Sequence, residues 1–315
     1  MKVLAKEKHG SKDWLLARWK DENGNCVFGA SDIPVLMGVS PYKTRGELFA
    51  DKVNEPVEQP SNAVFDRGNI LETPLIVNAS NKLGKQIFTP EVIYRDGRLS
   101  ISLDGVDDEQ KPTVVVEAKT TTRYSIYDSG DLPDEWLWQG WAQQAVLDVP
   151  VWFSVLDRDM RLSVVELPEN PLAVDSLILE SKIFGEWVDT NTPPLDEINN
   201  FSADDIARIF RVQPTTIDLT IEAGEWVLQL EEARAMAKQA AELETKAKDA
   251  LAQMLLGNEI GLLHGQQIVS WKQQAGKESF DAARLKQEHP ELVSEYTKQG
   301  NPYRVMRTHR EKVKK

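Results

Sequence analysis

The chain has 315 residues, 41% hydrophobic and 28% charged, an ordinary globular balance with room for one large domain or two modest ones. Its one cysteine, Cys26, excludes a disulfide framework, a zinc ribbon and a cysteine-ligated iron–sulfur cluster within a single chain. The net charge of −13 weighs against a nucleic-acid partner, although a local basic surface such as the tail "YRVMRTHREKVKK" can still bind one.

No apolar run reaches the length of a membrane helix. The N-terminal lysines are not followed by the apolar stretch of a secretory signal, so a cytoplasmic, membrane-free protein is expected.

In chain order, residues 11–20 read as a short amphipathic helix with Ser11 as N-cap and Trp14, Leu15 and Leu16 on its apolar side. Ser31 is placed to cap a second short helix that ends at Gly38, before a turn at Ser40-Pro41. A polar loop is expected over residues 51–62. The stretch "AVFDRGNILETPLIVNASNKLG" is predicted helical, with Leu71, Leu75, Ile76, Ala79 and Leu83 on one face and Gly84 as C-cap.

Strands follow in "EVIYRD", "LSISLDG" and "TVVVEAKT", the last two expected as a hairpin or as antiparallel neighbours. "DEWLWQGWAQQAVLD" returns to helix. "VWFSVLDRDMRLSVVELP" reads as two strands joined by a turn at Asp157–Met160, and residues 171–188 as helix. Composition shifts near Asn191–Pro194, and the division expected is a core of residues 1–215 and a mainly helical extension of residues 216–315. In the extension, residues 221–256 are predicted as a helical segment. Trp226, Leu230, Ala233, Ala237, Ala240 and Leu243 form its seam, which is expected to pack as a helical hairpin on the core or on a partner. "HGQQIVSWKQQ" reads as a strand and "FDAARLKQEHP" as a short helix.

The chemistry concentrates between Ser100 and Thr121. Residues two apart on a strand share a face, so Val115, Glu117 and Lys119 point one way, with Val114, Val116 and Ala118 directed into the core. Ser100, Ser102 and Asp104 share a polar face on the preceding strand. If the two strands are adjacent, Asp104 and Glu117 converge with Lys119 beside them. Paired carboxylates repel unless a cation lies between them, and Mg²⁺ prefers carboxylate, carbonyl and water oxygens, the Ala118 carbonyl included. Asp, a gap, then Glu-x-Lys on a strand is the arrangement expected of metal-dependent phosphodiester hydrolysis in the restriction-endonuclease-like fold. A solvated strand face with a routine Asp-Gly turn is the competing reading.

Several pieces in fixed order resemble the lambda exonuclease family, also called the YqaJ-like viral recombinases. They are "WLLAR", "GASDIPVLMGVSPYKTRGELFADK", "RGNILETPL", "SLDGV", "VEAKTT" and "WQGWAQQAVLDV", and they cover about residues 10–190. Residues 216–315 resemble the helical extension of many members. The resemblance implies an α/β restriction-endonuclease-like core, a mixed sheet flanked by helices. It implies Mg²⁺-dependent 5′-to-3′ digestion of linear duplex DNA, with Mn²⁺ expected to substitute, leaving a 3′ single-stranded overhang. It further implies a trimeric ring and a single-strand annealing partner in phage recombination, in the host cytoplasm if phage-encoded.

Residue by residue, the resemblance assigns Asp104, Glu117, the Ala118 carbonyl and Glu72 to the metal, and Lys119 to the nucleophile. Arg18 and Ser31 match positions that grip the 5′ phosphate. Ser102 is assigned a phosphate contact, and Gln139 matches the first of a glutamine pair. The second glutamine position holds Trp141, and Gln143, one turn on, is the substitute. The acidic total suits a ring with acids outside and a basic channel. Alternatives are an endonuclease or RecB-like nuclease of the same fold, a non-catalytic DNA-end-binding adaptor, or a scaffold built on the long helix.

Overall fold

The computed structural model describes residues 1–5, 16–54, 56, 63–193, 201–210, 212–276, 279–299 and 303–308. Contacts divide the chain into two compact units, Met1–Val212 and Gln213–Lys315.

The first unit is built on two small sheets. Strands β1 (Lys2–Ala5), β2 (Val92–Asp96) and β3 (Leu99–Ser102) form an antiparallel sheet in that order. Strands β4 (Gly105–Val106), β5 (Val115–Thr120), β6 (Val151–Leu156) and β7 (Leu162–Glu166) form the second. It is mixed: β5 runs parallel to β6, and the other pairs are antiparallel. The helices are α1 (Ile33–Leu36), α2 (Arg45–Val53), α3 (Ala63–Leu83), α4 (Ile126–Ser129), α5 (Asp134–Leu147), α6 (Pro171–Asp189) and α7 (Ala203–Ile209). The mixed α/β architecture expected from the sequence is therefore observed, a mixed sheet flanked by helices.

β5 is buried on both faces. Val115 joins a core with Trp136, Trp141, Ala142 and Val146 of α5 and with Phe153 of β6. Val114 and Val116 join a smaller core with Ile76 and Ala79 of α3. The sequence directs only the Val114–Val116 face inward. The other face is core as well, because a strand inside a parallel pair is covered by helices on both sides. Trp136 stacks on Phe153 at 6.2 Å between centroids.

Four further local expectations change. The strand before Asp104 stops at Ser102, and its neighbour is β2, not β5; only Gly105 and Val106 pair with β5. The loop placed at residues 51–62 begins later, because α2 runs through Val53. A reciprocal capping box starts that helix: Glu47 N–H donates to Thr44 Oγ1 at 3.2 Å, and Thr44 N–H to Glu47 Oε2 at 2.7 Å. Ser31 caps nothing. It sits inside a 3₁₀ turn, Ala30–Asp32, whose N-cap is Gly29, and Asp32 Oδ2 accepts the Gly29 N–H at 3.0 Å. Of the helix placed at residues 11–20, residues 11–15 lie outside the described residues, and Leu16–Ala17 lead into a turn.

The second unit holds α8 (Ile221–Leu255), a hairpin of β8 (Ile260–Leu263) and β9 (Gln266–Ser270), α9 (Ala282–Glu288) and α10 (Pro290–Tyr296). A single helix followed by a β-hairpin replaces the helical hairpin expected there, and Leu255 is its one residue described as buried. The basic tail beyond Thr308 lies outside the described residues. Among the described residues, no helix is long and apolar enough to cross a membrane.

Candidate active site

The chain crosses from one sheet to the other at Leu103–Asp104, and this crossing creates the site. Gly105 makes it tight: a Cβ there would lie 2.8 Å from both Ile76 Cδ1 and Ile87 Cγ2. Asp104, just before the first residue of β4, accepts the main-chain N–H of Ala118 on its Oδ2 at 2.9 Å. In an extended strand the N–H and C=O of one residue project to the same edge. The Ala118 carbonyl therefore lies on the edge that faces Asp104.

Glu117 is buried, 4% exposed, beneath α5. Its Oε1 accepts from Gln139 Nε2 and, at 2.8 Å, from Lys119 Nζ; its Oε2 accepts from Gln143 Nε2. Lys119 Nζ also donates to Gln139 Oε1 at 2.8 Å. Gln139 and Gln143 stand one helical turn apart and so share a face. Gly140 between them lets α5 approach the sheet: a Cβ there would lie 3.0 Å from both Leu167 methyl groups and 3.1 Å from Phe153.

Burial and the neighbouring charge of Glu117 push the Asp104 carboxyl up to about 8, against the smaller opposing pull of Lys119 and the Ala118 N–H. Burial would lower Lys119, but the Glu117 and Asp104 charges outweigh it and hold its pKa above the ordinary lysine value. Lys119 is thus an ammonium at neutral pH, a donor of charge and hydrogen bonds rather than a base.

These groups open onto a cavity of about 220 Å³ lined by Arg18, Gly29, Ala30, Ser31, Glu72, Ser100, Ser102, Asp104, Glu117 and Gln139. The structure brings Arg18, Ser31, Glu72, Ser102, Asp104, Glu117 and Gln139 to one place. Glu72, on α3, is close enough for its charge to raise Asp104 further. Lys119 joins through Glu117 and Gln139, and Gln143 donates to the other Glu117 oxygen.

Two neighbours of the site are missed by sequence reasoning. Lys52, 2% exposed, donates to the carbonyls of Val27 at 2.9 Å and Arg18 at 3.2 Å, and pairs with Asp32 at 2.8 Å. Arg95, 6% exposed, donates to the Ala17 carbonyl at 2.6 Å and to Ser100 Oγ. Two buried cations thus grip the backbone of Ala17–Arg18 from below. Lys52 follows Leu48 by one helical turn, so a lysine on the apolar side of α2 was the available signal.

The donors suit a hard cation. The cavity offers the carboxylates of Glu72, Asp104 and Glu117, with no thiolate or imidazole among the described residues that line it. Among the described residues no three His, Cys, Asp or Glu side chains are grouped so as to hold a metal ion by themselves.

The fold and site define an α/β protein with an acidic pocket at the end of a central strand. Residues 13–149 match the model of the YqaJ-like viral recombinase domain, and all the cavity residues fall inside that span. The chain is 23% identical over 312 residues to the YqaJ protein of Bacillus subtilis (strain 168), covering 94% of each chain. Among solved structures it is similar to an alkaline exonuclease, LHK-Exo of Laribacter hongkongensis, in complex with dAMP. That likeness has 18% identity, 60% of this chain, 98% of the other and a TM-score of 0.48. A phage-related exonuclease of Haemophilus somnus 129PT is similar at 11% identity over 53% of this chain and 95% of that one, with a TM-score of 0.39.

Proposed function

We propose that this protein is a Mg²⁺-dependent nuclease of restriction-endonuclease-like fold that digests linear duplex DNA from 5′ ends and leaves 3′ single strands for phage-type recombination. One observation carries the reading: Asp104 and Glu117 meet on a single cavity with the Lys119 ammonium bonded to Glu117. The match of residues 13–149 to the viral recombinase domain supports the biological setting.

Asp104, Glu117, the Ala118 carbonyl and Glu72 would hold the cation, with Mn²⁺ as substitute. Bound there, it would supply positive charge to a phosphate oxygen and orient a water. Lys119, tied to Glu117 and Gln139, orients the attacking water and adds charge where the phosphorane develops. Gln139 and Gln143 hold Glu117 in one rotamer. Arg18 suits a terminal 5′ phosphate, since a guanidinium fork matches phosphate oxygens, and Ser31 and Ser102 supply hydroxyl donors to the same cavity. The two cations beneath the Arg18 backbone fix where its side chain starts.

The quaternary reading is a trimeric ring around the DNA, acting with a single-strand annealing protein in the host cytoplasm. The testing experiment uses linear duplex labelled separately at each end, with 5′-phosphorylated termini, with and without Mg²⁺. A closed circle and Glu117→Ala are controls. Loss from 5′ ends alone, sparing the circle and the variant, is expected. Cleavage of the circle would make the protein an endonuclease, and DNA binding without loss would make it an adaptor.

A further inference from the structure

An exposed arginine between two tyrosines stands at the end of the strand that carries Glu117 and Lys119. Arg123 lies 5.8 Å from the centre of the Tyr42 ring and 5.4 Å from that of Tyr124. Its Nη1 donates to the Tyr42 hydroxyl at 3.1 Å. Tyr42 is 75% exposed. Arg123 is four positions after Lys119, so the two Cα atoms lie within about 14 Å along even a fully extended chain.

The cluster is rooted rather than loose. Tyr124 packs edge-on against the core residue Trp136 at 6.0 Å, and its hydroxyl donates to Glu135 at 3.0 Å. Glu135 lies one turn before Gln139 on α5, and its charge reaches both Lys119 and Arg123. Tyr42 is held by a turn in which its N–H donates to Ser40 Oγ at 3.2 Å.

The neighbouring cations are spoken for. Arg161 pairs with Asp128 at 2.7 Å and Arg158 with Asp159 at 3.6 Å. Arg123 differs, because its bonded partner is a phenol, which leaves the guanidinium charge uncancelled by that contact. Among the described residues Arg123 is held by aromatics and is in no carboxylate ion pair, on a chain of net charge −13. A guanidinium clamped against rings keeps its remaining donors for phosphate, and an exposed tyrosine face stacks any unpaired base.

We infer that Tyr42 and Arg123 form a binding site for one unpaired nucleotide of a DNA single strand next to the cavity, with the base on Tyr42 and the phosphate on Arg123. This rests on the nuclease reading, in which a strand separated from its complement must leave the site.

The test measures fluorescence anisotropy in EDTA, with a blunt duplex and with the same duplex carrying a 3′ single-stranded overhang. The chains are wild type, Tyr42→Ala, Tyr42→Phe and Arg123→Ala. Loss of one stacked base weakens binding by about fivefold or more. Tyr42→Ala and Arg123→Ala should each lose at least that on overhang DNA and little on blunt DNA, with Tyr42→Phe close to wild type. Equal affinity of wild type and both alanine variants for overhang DNA overturns the site while leaving the nuclease reading intact. A Tyr42→Phe loss as large as that of Tyr42→Ala overturns stacking. Wild type that neither binds nor digests DNA sinks the nuclease reading itself, and this inference with it.

Discussion

Asp104 and Ala118 are joined by a bond from main-chain N–H to carboxylate of 2.9 Å, just beyond the last paired residues of β4 and β5, Gly105 and Val116. The bond fixes the acid at the open edge of β5 beside the buried Glu117. That placement has a consequence for stability. In the unfolded chain Asp104 sheds its proton near 3.8, and in the folded protein at about 8. The folded state therefore binds more protons across that window, so this group's stabilisation is full below pH 3.8 and is lost as pH rises to 8.

Asp104→Asn keeps an acceptor for Ala118 and cannot ionise. Its stability relative to wild type should rise between pH 4 and pH 8, while nuclease activity disappears. Urea midpoints in EDTA at the two pH values test this, and parallel pH profiles for the two proteins would refute it. Adding Mg²⁺ should restore wild-type stability at pH 8 and leave the variant unmoved.

Gln143 was legible only as a substitute for a glutamine that the familiar pattern puts two residues earlier. The reason it serves is helical: Gln139 and Gln143 share a face, and Trp141 points into the core instead. Asp104, Glu117 and Lys119 were legible because period-two alternation and charge in an apolar run are local signals. The pairing of β4 rather than β3 with β5 was not, because register is decided by distant packing of Gly105 against Ile76 and Ile87. Lys52 and Arg95 escaped notice because a buried cation is explained by carbonyls far away in sequence, here those of Arg18, Val27 and Ala17.

Gln143→Leu should remove the donor to Glu117 Oε2 and leave a buried carboxylate oxygen without it. The expected cost is about 1–3 kcal/mol of stability, with a drop in turnover larger than any change in KM, because a tilted Glu117 harms the reacting geometry more than DNA binding. Gln143→Glu, which places a second acid against Glu117, should be worse than Gln143→Leu at pH 8. Thermal unfolding and steady-state kinetics decide it, and a Leu variant with wild-type turnover would remove Gln143 from the site.

Gly105→Ala should act through position alone. The new methyl meets Ile76 and Ile87 at 2.8 Å, which is overpacking worth about 1–3 kcal/mol. Relief requires moving the segment that carries Asp104, so activity should fall further than the loss of folded protein accounts for. Trimming the obstacle with Ile76→Val in the same chain removes the Cδ1 methyl that the new Cβ meets and should recover part of both losses. Recovery of stability without activity would show that Asp104's placement does not depend on this contact.

Lys52 tests whether Arg18 needs its pedestal. Burial would raise the Asp32 carboxyl, but the charges of Lys52 and then Arg18 hold it below the ordinary aspartate value. Stability from this pair is therefore present above the unfolded pKa and lost as pH falls through the lower folded one. Lys52→Met removes the partner of Asp32 and the donor to the Arg18 and Val27 carbonyls. A cost of about 2–4 kcal/mol is expected, smaller than for a fully enclosed pair because the Asp32 side chain is 24% exposed. The functional readout is selectivity for 5′-phosphorylated over 5′-hydroxyl ends, measured on the folded fraction. If Lys52 positions Arg18, that ratio should shrink with KM rising more than kcat falls, and Lys52→Arg should recover part of it. An unchanged ratio in a less stable protein would reduce Lys52 to a structural cation and free the Arg18 side chain from any dependence on what lies beneath its backbone.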